Sequence, residues 1–161
     1  MLRKKQESLS PNAYHYRNSG SPVVYAYDAM GNRTRKVDNG ITTGYTLDKL
    51  GRTVEERTFV KSPLDSTWIP KSLVSSVYDV VGNRLSVTYP DNRTLTSAYD
   101  LRNLLISVTD GTRTTAYGYD AAGNRTSMLM PNGVVANYTF DSNNRLTKIA
   151  HTNVAGTNLY T

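Results

Sequence analysis

The stretch Tyr119-Asp120-Ala121-Ala122-Gly123-Asn124-Arg125-Thr126 decides the reading of this chain, because it occurs three times. Its other copies are Tyr27-Asp28-Ala29-Met30-Gly31-Asn32-Arg33-Thr34 and Tyr78-Asp79-Val80-Val81-Gly82-Asn83-Arg84-Leu85. Shorter copies lie between them: Leu47-Asp48-Lys49-Leu50-Gly51-Arg52-Thr53, Tyr99-Asp100-Leu101-Arg102-Asn103-Leu104-Leu105 and Phe140-Asp141-Ser142-Asn143-Asn144-Arg145-Leu146. The Asp positions 28, 48, 79, 100, 120 and 141 recur about every twenty residues, with one interval of 31. A fixed period of this kind is the signature of a repeat architecture, in which each unit buries its apolar side only against its neighbours.

Each copy parses as strand, turn, strand, turn. Tyr25-Ala26-Tyr27, Tyr117-Gly118-Tyr119 and Tyr138-Thr139-Phe140 alternate with period two, which places both rings of each pair on one sheet face. The following Asp-x-x-Gly is turn chemistry. The carboxylate accepts backbone N–H groups just downstream, and Gly31, Gly82 and Gly123 adopt positive φ without a Cβ clash. Asn103 and Asn144 occupy the same slot in two short copies, and Asn is the side-chain-bearing residue that best tolerates it. A second alternating run such as Leu85-Ser86-Val87-Thr88-Tyr89 ends at a second punctuator: Asp38-Asn39-Gly40, Pro90-Asp91-Asn92, Asp110-Gly111 or Pro131-Asn132-Gly133.

No window between turns this close sustains a helical period. The pattern therefore predicts an all-β fold, a curved antiparallel meander of about ten to twelve short strands built from these hairpins. Residues 1–20 read as a basic polar leader, poorly ordered or at an edge, residues 21–149 as the repeats, and residues 150–161 as a C-terminal tail. The ten extra residues of the irregular interval fall at about 59–72, read as an inserted loop or long hairpin that carries the only Trp, Trp68.

Composition excludes several functions. The 161 residues contain no Cys, which removes disulfide frameworks, thiolate zinc sites and cysteine nucleophiles. Only 38% are hydrophobic, and 12 Tyr exceed the two Phe and one Trp, so amphipathic rings replace aliphatic side chains as the packing material. The net charge of +6 is spread along the chain, without the cluster that nucleic acid or a membrane surface requires. No apolar run is long enough for a membrane helix or a signal-peptide core. His15 and His151 lie far apart with no partner at a catalytic spacing and read as surface residues. No P-loop, dinucleotide fingerprint, zinc-protease or nucleophile-elbow sequence occurs. One carboxylate beside an Arg is a poor cation site, so neither metal nor cofactor is expected. The Asn-x-Thr triplets at Asn32, Asn92 and Asn124 belong to the turns, and that at Asn137 to a strand.

Alternation of Tyr-x-Tyr-Asp-x-x-Gly-Asn-Arg-Thr with a shorter Asp-x-x-Gly-Arg form over residues 21–149 resembles the RHS, or YD, repeat. The resemblance covers most of the chain in six in-phase copies. Proteins of that family include bacterial RHS effectors, the C components of insecticidal toxin complexes, wall-associated proteins and teneurins, which wind such repeats into a hollow β-shell. The bacterial shells enclose a toxic C-terminal domain. Complete shells use many more repeats, and bacterial cores end in a self-cleaving Asp-Pro segment, a dipeptide this sequence lacks.

The resemblance implies a non-catalytic structural segment of a shell that shields a toxin or effector polypeptide, secreted or displayed by a bacterium. Its partners would be the rest of a longer chain, an enclosed effector domain, or a second copy at a sheet edge. A sheet face rich in Tyr and Arg also suits a carbohydrate- or protein-binding module, with Trp68 as a partner contact. The expected structural set comprises Tyr27, Asp28, Gly31, Asn32, Arg33, Asp48, Gly51, Arg52, Tyr78, Asp79, Gly82, Asn83, Arg84, Tyr99, Asp100, Tyr119, Asp120, Gly123, Asn124, Arg125, Asp141 and Arg145. In it Asp closes each turn, and Arg lies over a Tyr ring or pairs with a carboxylate of a neighbouring copy.

Overall fold

The computed structural model describes residues 14–16 and 22–160. Every regular element among them is a β-strand, and the chain divides into two compact units, Met1–Ser76 and Val77–Thr161. The first unit holds β1 (Tyr14–Tyr16), β2 (Val23–Tyr27), β3 (Arg33–Asp38), β4 (Ile41–Leu47), β5 (Thr53–Lys61) and β6 (Trp68–Tyr78), whose last residues cross the boundary. Within it each strand pairs antiparallel with the next in sequence. The second unit holds β7 (Arg84–Thr88), β8 (Thr94–Tyr99), β9 (Leu105–Asp110), β10 (Arg113–Tyr119), β11 (Arg125–Leu129), β12 (Val134–Phe140), β13 (Leu146–Asn153) and β14 (Asn158–Tyr160). These also pair in sequence order, all antiparallel.

The chain is thus the all-β meander that the repeat predicts. The twelve strands β2 to β13 come from the repeats. β1 and β14 add two strands of three residues each, within the leader and the tail. The remainder of residues 1–20 lies outside the described residues. At 59–72 the structure has a long hairpin rather than a loop: β5 runs to Lys61, β6 begins at Trp68, and only residues 62–67 turn. Ser62 N–H donates to the Thr67 carbonyl, and Asp65 Oδ1 accepts from the backbone N–H and the hydroxyl of Thr67. Ser62 is the one polar residue buried among those described.

Turns of two kinds were expected, and the backbone makes one kind at most of them. In Asp120–Asn124 the first residue's N–H donates to the fifth carbonyl, and the fourth residue's N–H donates back to the first carbonyl. The same pair of bonds closes Tyr89–Arg93, Met130–Val134 and Asn153–Thr157 at the opposite ends of the strands. The fourth residue always has positive φ: Gly31, Gly51, Gly82, Asn92, Asn103, Gly123, Gly133, Asn144 and Gly156. This is a three-residue loop, a tight turn followed by a left-handed residue. Pro90 and Pro131 stand at its second position, where a fixed φ suits the turn. Asn39-Gly40 is the exception, a two-residue hairpin with positive φ at both positions.

In each unit taken by itself the strands form one layer, with no helix or second sheet over either face among the described residues. Val87 and Ala136, 5% and 1% exposed, are the only buried apolar residues there. Register explains where they lie. Tyr117, Met128, Ala136 and His151 share one face, and Leu95 and Val87 lie opposite each other on the same face of β8 and β7. The other face of β7 to β10 carries the row Ser86, Thr96, Thr109 and Thr114, where small hydroxyl side chains pair across strands.

Candidate functional site: linked turns and stacked arginines

The Asp turns all close one end of the strands in their unit. Asp120 Oδ1 accepts the Asn124 backbone N–H at 2.9 Å, and its Oδ2 accepts the Asn124 side-chain amide at 2.9 Å. Asp28 with Asn32 and Asp79 with Asn83 repeat this grip. In the short copies an Arg replaces the amide: Arg52, Arg102 and Arg145 donate Nε–H to their own Asp at 2.7, 3.0 and 2.7 Å. The ion pairs of the short copies therefore close within a copy, not toward a neighbour's carboxylate.

The same side chains also link successive turns. Asn83 donates to Asn103 Oδ1 and Asn124 to Asn144 Oδ1, both at 2.9 Å. Each acceptor is the left-handed residue of the next turn. In the first unit that residue is Gly51, and a Cβ there would lie 3.0 Å from Asn32 Oδ1, so the glycine lets the amide approach the backbone itself. Arg102 Nη1–H donates to the Asp120 carbonyl at 2.9 Å. The Tyr before each Asp adds a further link: Tyr99 donates to the Arg84 carbonyl at 3.2 Å and Tyr119 to the Leu105 carbonyl at 2.8 Å.

Beside the turns the register shifts by one residue, so that Tyr27 faces Arg33 and Tyr119 faces Arg125. Such a bulge re-aims a side chain. Arg33 lies over Tyr25 and Tyr45, at 5.7 and 4.9 Å from the ring centroids, and Arg125 over Tyr117 and Tyr138, at 5.8 and 4.9 Å. Each guanidinium thus bridges rings on the two strands flanking its own. The middle long copy has Ser76 and Ser97 in the positions of those rings, so Arg84 has no Tyr at the equivalent places.

The turn carboxylates are held below the ordinary range. For Asp28 and Asp120 the leading cause is the Asn side-chain amide, and for Asp100 and Asp141 the Leu104 and Arg145 backbone N–H groups. At Asp48 and Asp79 desolvation pushes upward and is outweighed by the hydrogen bonds. Carboxylates engaged in this way are acceptors that fix geometry, whereas a general acid needs a raised pKa. His151 is half-buried on β13, and the side chain of His15 lies outside the described residues.

The RHS Repeat family matches residues 78–114 and 99–135, each match spanning two successive Asp turns. This chain carries RHS repeats. No protein of curated function matches the sequence of this RHS-repeat chain. Among solved structures it is similar to a chain in a crystal structure of TcdB2-TccC3, with 16% identity, a TM-score of 0.68, and coverage of 92% of this chain and 9% of that one. It is likewise similar to a chain of a Photorhabdus luminescens Tc holotoxin pore, with 16% identity, a TM-score of 0.67, and coverage of 91% and 8%. At this identity the likeness is one of fold. The RHS-repeat chain spans less than a tenth of the chains it matches, and it is a structural repeat segment of the kind they contain.

Trp68 stands apart from the turns. It is the first residue of β6, half exposed, and with Arg35, Thr42 and half-buried Phe59 it lines a pocket of about 310 Å³. The residues of this pocket other than Trp68 were not legible as a group. Arg35 and Phe59 lie outside the repeated motif, and only the register of β3, β4 and β5 brings them to one face.

Proposed function

We propose that this chain is a non-catalytic wall segment of an RHS-type shell, which encloses and shields a toxin or effector polypeptide within a larger bacterial export system. The observation that carries the reading is the single-layer sheet: neither unit supplies a second layer, and two buried apolar residues are too few to serve as a core. A sheet of that kind gains stability from linked turns, stacked rings and further strands at its edges. β1 and β14 each have one strand neighbour among the described residues, so each leaves a row of backbone groups for the rest of a longer chain or for a second copy. The linked turns, with Asp, Asn and Arg engaged in one another, support a structural role for the motif and no turnover.

Display of Tyr and Arg to a ligand is the weaker reading of the motif, because Arg33 and Arg125 already lie against rings of their own sheet.

Assembly and shielding are tested together. Light scattering of the purified chain is expected to show dimers or larger species that revert to monomer in Leu159→Pro, since Pro removes an edge donor. An unfolded substrate protein added during assembly is expected to resist trypsin. Assembly without protection would remove the enclosing role, and a wild-type monomer would remove edge pairing.

A further inference from the structure

We propose that the pocket between β3 and β6 binds a carboxylated sugar ring, such as a hexuronic acid residue of an acidic glycan. The proposal is independent of the shell reading, because the pocket shares no residue with the linked turns.

The pocket lies on the face of the first unit opposite that of Tyr25 and Tyr45. Thr42 pairs across to Phe59, and Phe59 to Pro70, so these side chains share that face. Arg35 and Arg57 both stand opposite Gly44 on β4, one from each side. A Cβ at Gly44 would meet nothing within 4 Å, so the face has an open notch flanked by two guanidinium groups. Arg57 is paired with Glu55 at 3.4 Å, whereas Arg35 makes no ion pair among the described residues. Lys61, opposite Trp68, adds a third cation beside the rings.

These features define the occupant. Two aromatic side chains, one half exposed and one half-buried, offer flat apolar walls to the C–H face of a pyranose. Thr42 offers a hydroxyl, and Arg35 a planar fork that matches a carboxylate. A volume of about 310 Å³ stands at the small end of ligand pockets, roughly 300 to 1,000 Å³, and suits one ring. Strands β4 and β5 have neighbours on both sides, so no backbone edge is free there to pair with a peptide strand. Recognition must come from side chains, which favours a rigid ring over an extended polypeptide.

Trp68 is the only Trp in the chain, so its fluorescence reports this pocket alone. Titration of the full chain with trigalacturonate is expected to give a saturable change in emission, at least ten-fold tighter than with neutral maltotriose and weakened by salt. Arg35→Gln should weaken binding at least ten-fold with the thermal transition unchanged, and Gly44→Leu should abolish it by filling the notch. The proposal is overturned if emission does not change at about 10 mM, beyond the range of weak millimolar binding. Equal binding of maltotriose, or unaltered binding by Arg35→Gln, overturns it as well. A glutamate-rich peptide that saturates the signal at lower concentration than the sugar would assign the pocket to a polypeptide instead.

Discussion

A glycine at the fourth position of a turn and a glycine in a strand carry opposite demands here. Gly123 has φ of +89°, and its added Cβ would meet no neighbour within 4 Å, so any cost of substitution comes from the backbone alone. Gly123→Val is expected to lower stability by about 1 kcal/mol or more, because a β-branched residue is strained in the left-handed region. Denaturant titration of the variant reads this directly, and an unchanged midpoint would mean that the turn relaxes into another form. Gly44 has ordinary strand φ and open space above it, so Gly44→Ala should be neutral or stabilising in the same assay. The repeat displays the first residue as turn chemistry, whereas the role of Gly44 becomes visible only once its strand neighbours are known.

At the scale of the element, a hairpin here is joined to the next by a bulge, a stacked Arg and a turn-to-turn amide bond. Arg125→Ala should cost about 1 kcal/mol, since an exposed cation over a ring contributes roughly 0.5 to 1 kcal/mol and this one touches two rings. Arg125→Lys should recover only part of that, because an ammonium lacks the planar face that lies against both rings. Equal thermal midpoints for wild type and Arg125→Ala would show that the stacking is incidental. The sequence displayed both partners, the Arg after each Asn and the Tyr three residues before each Asp. It did not show that the rings belong to the two strands flanking the Arg, because that follows from the register shift between Gly118 and Tyr119.

Across the whole molecule the same carboxylate environment is repeated, and its effects add. Asp28, Asp48, Asp65, Asp79, Asp100, Asp120 and Asp141 are all held below their ordinary value. The unfolded chain then binds more protons than the folded one in acid, so this stabilisation is complete above the unfolded Asp value of about 3.9. It is lost as pH falls through the lower folded values. The thermal midpoint should therefore be insensitive to these groups above about pH 5 and fall progressively below pH 4. In the variant Asp120→Ala the acid loss should be shallower. A midpoint that held steady to pH 2 would mean that the turn carboxylates do not stabilise the fold.

Periodicity determined the all-β class, the strand-turn-strand unit, the position of each turn and the long hairpin's place in the chain. It could do so because φ-positive residues, Asp side chains and two-residue alternation act within five or six neighbouring residues. Tertiary structure alone decided which side chains meet: Asn83 with Asn103, Arg125 with Tyr138, and Arg35 with Phe59 and Trp68. Those meetings depend on register across strands, where a shift of one residue sends a side chain to the opposite face.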